Sequence, residues 1–68
     1  MRAVRRLAIL ARIREAGVAT DAEVALALDL GRRTVTRERA ALVREGLVEA
    51  VPAPEGSRYP IAGWRAVS

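Results

Sequence analysis

A chain of 68 residues with no cysteine and no histidine has to fold on packing alone. No disulfide can staple it, and the usual sulfur and nitrogen ligands of a structural zinc site are missing. A core of this size contributes only about 3–5 kcal/mol. Stability must then come from close helix packing, from a partner subunit or from a ligand. The length sets the expectation of a single domain spanning the whole chain.

The charge narrows the choice of partner. All 12 basic residues are arginine, set against 8 acids, for a net charge of +4. Such an excess favours nucleic acid or an anionic membrane surface. The signs alternate in blocks. Residues 1–14 carry five arginines and no acid, and residues 15–30 carry Glu15, Asp21, Glu23 and Asp29 and no base. Residues 31–44 carry five arginines against Glu38 alone, residues 45–57 carry three glutamates, and residues 58–68 carry Arg58 and Arg65. A merely soluble domain mixes its signs more evenly; the alternative is that these blocks are solvated faces. No apolar run approaches the length of a membrane span. Arg2, Arg5, Arg6, Arg12 and Arg14 interrupt the apolar residues at the start, so no signal peptide is expected.

Periodicity and punctuation give the order of elements. Residues 3–16, rich in Ala, Leu, Ile and Arg, read as a helix stopped by Gly17. Gly17-Val18-Ala19 is a short extended link. Thr20-Asp21-Ala22-Glu23 fits a capping box and opens a second helix over 21–28, with Val24, Ala25 and Leu28 as its apolar face. Asp29-Leu30-Gly31 breaks it; Asp tolerates the left-handed conformation and Gly31 can cap a third helix. That helix runs over about 32–45 and stops at Gly46. Leu47–Val51 alternates as a strand, and Arg58–Ile61 returns, with Tyr59 and Ile61 on one face and Pro60 confining that strand to an edge or ending it. Between them Pro54-Glu55-Gly56 suits a type I turn, with Pro second and Gly fourth. The tail carries Gly63 and Trp64. The expected fold is mainly α (α+β): three helices and a C-terminal two-stranded β-hairpin over about 47–62, which is the winged helix-turn-helix order.

The third helix has two unlike sides. At about 100° per residue, Val35, Leu42 and Gly31 form a core stripe, and Arg33, Arg37 and Arg44 fall opposite, with Thr36 and Ala40 among them. Arg32 lies on a flank. The one acid, Glu38, is displaced toward the core side. Arg forks onto guanine O6 and N7 in the major groove, and Thr36 and Ala40 suit a thymine methyl. Arg37 is the first candidate for base contact, with Arg33 beside it. The chain has no Asn or Gln for the bidentate adenine contact, so guanine is expected at the contacted positions. Arg58 follows Gly56-Ser57 near the hairpin tip, where it is either a DNA contact or a solvated turn residue. Arg2, Arg5 and Arg6 are either phosphate contacts or loose end residues.

The residues Ile9-Leu10, Ile13, Gly17-Val18, Glu23-Val24-Ala25, Thr34-Val35-Thr36-Arg37, Leu42 and Glu45-Gly46-Leu47-Val48 together resemble the bacterial winged helix-turn-helix regulators of the DeoR, GntR and MarR kinds. The small FaeA-like regulators are similar in length. Gly56-Ser57-Arg58-Tyr59-Pro60-Ile61 is similar to their wing, and the likeness covers about residues 6–62. It implies that Arg32, Arg33, Thr34, Thr36 and Arg37 open a recognition helix that contacts DNA, with Arg58 contacting it from the wing. Two positions depart from the pattern. Asp29 stands where such proteins usually have Gly, and Arg39 where they have an apolar core residue. Arg39 must snorkel past the core edge, pair with an acid on the second helix, or go with a rotated third helix, which would shift the choice of base-contacting arginines.

The first helix carries two apolar stripes, Ile9, Ile13 and Ala16 on one side and Val4, Leu7 and Ala11 roughly opposite. One faces the core. The other, with Trp64, is expected to form a homodimer seam, unless the core absorbs both. A dimer would set two recognition helices on half-sites about one DNA turn apart.

The leading expectation is a sequence-specific duplex-DNA binder acting as a small transcriptional regulator, cytoplasmic and nucleoid-associated. The same domain also serves in replication and partition. The alternative is a protein-interaction adaptor meeting an acidic partner. RNA binding is disfavoured by having only two aromatic residues for stacking. No enzyme is expected, because His, Cys and Lys are absent and no Ser sits beside a plausible base. No cofactor, metal or small-molecule effector is expected.

Overall fold

The computed structural model describes residues 2–67. Its elements are α1 (Arg2–Ala16), α2 (Asp21–Leu28), α3 (Arg32–Arg44), β1 (Val48–Pro52) and β2 (Ile61–Ala66). Three helices are followed by an antiparallel hairpin, as the pattern predicts.

The ends of the helices follow from local chemistry. The Thr20 hydroxyl accepts from the Glu23 amide at 3.1 Å, and the Thr20 amide donates to Glu23 Oε1 at 2.8 Å. This reciprocal box satisfies two amides that a helix start leaves without partners. At the other end of α2, Asp29 turns left-handed, with φ 53°. The Asp29 amide then donates to the Leu26 carbonyl at 3.4 Å and the Leu30 amide to the Ala25 carbonyl at 3.0 Å. That is a Schellman closure, and the same pair of bonds ends α3 through Gly46 and Leu47. The turn between α2 and α3 therefore needs no ligand or side-chain clamp to form.

The core lies where the three helices meet the hairpin. Ile9, Leu10 and Ile13 of α1 pack with Val24 and Ala25 of α2, Val35 and Leu42 of α3, Ala19 and Val48, all buried. Leu28, Leu30, Trp64 and Ala66 cover its edges. Ala16, expected in the core stripe of α1, is exposed, and Leu10 takes part in its place.

The hairpin departs most from the sequence expectation. Its return strand is Ile61–Ala66, not Arg58–Ile61, so the supposed tail is strand and the hairpin runs to Ala66 instead of ending near 62. Pro60 does not sit in the ladder. It precedes the strand, and its carbonyl accepts from the Ala53 amide at 3.1 Å. The turn is also one residue later than expected. The Ser57 amide closes onto the Pro54 carbonyl at 3.1 Å, which puts Gly56 third, at φ +89°. A positive φ at the third position is the type II signature, and glycine supplies it without strain.

The reason the strand lies further on is a contact with the link before α2. Ala19 and Trp64 exchange both backbone hydrogen bonds, at 2.9 and 2.8 Å. β2 is thereby paired on both sides, with β1 along one edge and a single rung to Ala19 on the other. Pairing runs Val48 to Ala66 through Val51 to Gly63, then slips at Pro52, which pairs with Ile61 and leaves Ala62 as an extra residue. Gly63 suits this close approach. A Cβ there would stand 3.0 Å from the Ala19 carbonyl oxygen and from Val18 Cγ1.

Among the described residues no helix is long and apolar enough to cross a membrane. No group of three or more acidic, His or Cys side chains is placed to hold a metal ion there either.

Candidate nucleic-acid interface

The buried residues of α3 are Val35, Glu38, Ala41 and Leu42. At about 100° per residue their mean direction lies about 50° from Val35, on the Glu38 side. The helix is turned by that amount relative to the stripe read from Val35 and Leu42. The outward direction then passes through Thr36, Ala40 and Arg33, with Arg44 next and Arg37 on the flank nearer α1. Arg33 thus replaces Arg37 as the more central of the two arginines. Arg32, Arg33, Thr36, Arg37, Arg44 and Arg58 are all exposed, whereas Thr34 and Ala40 are half-buried.

The one acid within α3, Glu38, is turned inward. Glu38 is 3% exposed, and the Arg6 Nε–H donates to its Oε1 at 2.8 Å. Arg6 also approaches Glu45, at 3.7 Å, and Arg37 Nε lies 3.8 Å from Glu38 Oε2. The Arg6 hydrogen bond holds the Glu38 carboxyl below its usual range against the opposing effect of burial, with the charges of Arg6, Arg37 and Arg5 assisting. Arg6 is thus engaged within the protein instead of reaching outward as a phosphate contact. Arg5 is half-buried beside it, and the Arg2 side chain lies outside the described residues. Among the described residues no carboxylate comes within ion-pair distance of Arg32, Arg33, Arg44 or Arg58.

Arg39, at the edge of the core, is held by pairing. Its Nε donates to Asp21 Oδ1 at 3.0 Å and its Nη2 to Oδ2 at 2.8 Å, a bidentate fork. Its guanidinium carbon lies 3.7 Å from the centre of the Trp64 ring. A cation over an indole face is attracted by the ring quadrupole, so one side chain ties α2, α3 and β2 together. The Thr36 hydroxyl donates to the same Asp21 Oδ2 at 2.9 Å. Burial raises the Asp21 carboxyl, but the Arg39 and Thr36 hydrogen bonds and the charges of Arg39 and Arg32 outweigh it, for a net lowering. Sequence reading missed Asp21. The usable signal was that Arg39 needed an acid and Asp21 was the acid of α2 left over by the capping box.

Trp64 lines a groove of about 450 Å³ with Asp21, Arg32, Arg39 and Tyr59. A different groove, of about 350 Å³, lies beside Val4, Arg5, Ala8, Leu28 and Leu30. Trp64 and Val4, expected in one seam, thus line different grooves. Val4, Leu7 and Ala11 are exposed, so the core does not absorb the second stripe of α1.

No protein-family profile, curated protein or solved structure matches the chain.

The depressed carboxyls set a pH dependence. A group lowered on folding contributes stability that is complete above its ordinary value and is lost as pH falls through the folded one. The ordinary values are 4.5 for Glu38 and 3.8 for Asp21. The melting temperature should hold from neutral pH down to that range and fall below it. Glu38→Gln should melt lower at neutral pH and lose part of this acid sensitivity. An unchanged acid limb in thermal melts across pH would show that Arg6–Glu38 does not contribute.

Proposed function

We propose that the chain binds duplex DNA sequence-specifically, as a small transcriptional regulator of the winged helix-turn-helix kind. α3 enters the major groove, and the hairpin meets the backbone or the minor groove through Arg58. The observation that carries this reading is the outer side of α3. It presents Arg33, Arg37 and Arg44 while Glu38 is folded in against Arg6. Among the described residues Arg33 and Arg44 have no carboxylate within ion-pair distance, and such arginines neutralise phosphates and fork onto guanine.

The exposed stripe Val4, Leu7 and Ala11 supports a homodimer, with Leu7 65% exposed on the face of α1 that the core leaves uncovered. Two copies would read paired half-sites.

Selection of binding sites from a random duplex pool, followed by titration of the winner at several salt concentrations, tests the reading. The expected result is a guanine-containing site, present as two half-sites about one turn apart, whose affinity falls steeply with salt. A pool that never enriches, while an acidic protein is bound instead, would sink it in favour of the adaptor. Enrichment of only A·T-rich sequences would remove the guanine readout.

A further inference from the structure

A strip of small and apolar side chains runs down one side of the outward face of α3, beside Arg33, with arginines on both of its edges. Thr36, Ala40 and Val43 follow one another at spacings of four and three residues, which puts them on one face of the helix. Val43 is 38% exposed. Arg33, Arg37 and Arg44 lie on one side of this strip, and Arg32 and Arg39 on the other.

Thr36 is the polar member, and its hydroxyl is already committed. A carboxylate only accepts, so the proton between Thr36 Oγ1 and Asp21 Oδ2 belongs to threonine. The Arg39 fork fixes the carboxylate in place. The hydroxyl therefore has no proton left for guanine O6 or N7, adenine N7 or thymine O4. It is drawn toward α2 and can only accept from a base, so the group the side chain leaves beside it for a thymine is its methyl.

We infer that the Thr36–Ala40–Val43 strip reads the C5-methyl groups of thymine in the major groove, with Asp21 as the positioning residue that holds the Thr36 hydroxyl aside. The inference rests on the DNA-binding reading and adds which base feature the centre of the helix recognises. The arginines take guanine on either side, and the strip takes thymine between them.

Uracil differs from thymine by that methyl alone. Take the duplex enriched by selection and replace each thymine by uracil, one at a time, with the unaltered protein. At one or two positions affinity should drop about three- to fivefold, the effect of exposing one methyl group. Thr36→Val keeps the methyl and discards the hydroxyl. It should retain affinity and the thymine preference, whereas Thr36→Ser, which keeps the hydroxyl and lacks the methyl, should bind about three- to fivefold more weakly and lose the preference at one position. A selected site indifferent to every uracil replacement would overturn this inference and leave DNA binding standing. So would Thr36→Val binding as weakly as Thr36→Ser, both being folded by circular dichroism, because that would mean the hydroxyl is read. If no duplex enriches, both readings fail together.

Discussion

Ile9→Ala leaves most of the chain unfolded at room temperature. Ile9 is wholly buried in α1, where that helix meets the rest of the core. Truncation removes three carbons and leaves a cavity, which costs about 2–5 kcal/mol. A domain of this size has only about 3–5 kcal/mol to lose, and with no cysteine no disulfide holds the remainder. The helical circular dichroism of the variant should be weak, with no cooperative melt. Leu7→Ala is the matched control. It lies on the same helix two residues earlier and is 65% exposed, so within one subunit it should change stability by at most about 0.5 kcal/mol. In a homodimer the melting temperature of the parent rises with protein concentration, and Leu7→Ala should weaken that dependence. A cooperative melt for Ile9→Ala near that of the parent would mean that the core is not what holds the fold.

How much of this was readable in advance depends on the range of each interaction. The helix boundaries come from contacts within five residues. Thr20 with Glu23, and Asp29 closing back onto Leu26, are written in adjacent letters. The strand β2 is different. It begins only after Pro60 and runs to Ala66 because Ala19 bonds to Trp64, a pairing that joins two ends of the fold. Nothing local in Ala62-Gly63-Trp64 marks a strand, and Gly63 argues mildly against one.

The site divides along the same line. Periodicity alone puts Arg33, Arg37 and Arg44 away from the core. The turn of α3 that favours Arg33 depends on Glu38 being buried, and Glu38 is buried because Arg6 reaches it from 32 residues away. Likewise, Arg39 was recognisably out of place as a core arginine, but its partners Asp21 and Trp64 come from two other elements. Charge blocks gave the chemistry of the surface, while the ion pairs that sort buried from outward charges had to be seen in three dimensions.

Arg33→Ala should cost about 1–3 kcal/mol at the selected site and relax the preference for guanine at one position. Arg37→Ala is expected to do the same at a neighbouring position, with a smaller effect. Arg37 sits on the flank of the outward face and shares its guanidinium with Glu38, 3.8 Å away, so binding DNA must compete with that contact. Arg33 has no carboxylate within ion-pair distance among the described residues, and its fork is free to meet a base. Arg58→Ala, on the exposed hairpin loop, should weaken all sequences alike and reduce the slope of affinity against salt by about one unit. These three outcomes separate base reading from phosphate neutralisation. Affinity should be measured for each variant against the selected duplex and a scrambled one, over a series of salt concentrations. Equal losses on both duplexes for Arg33→Ala, Arg37→Ala and Arg58→Ala would mean that α3 neutralises charge and reads no base. A larger and more specific loss at Arg37 than at Arg33 would mean that α3 meets the groove along its α1-facing flank, with the Arg37–Glu38 contact breaking on binding.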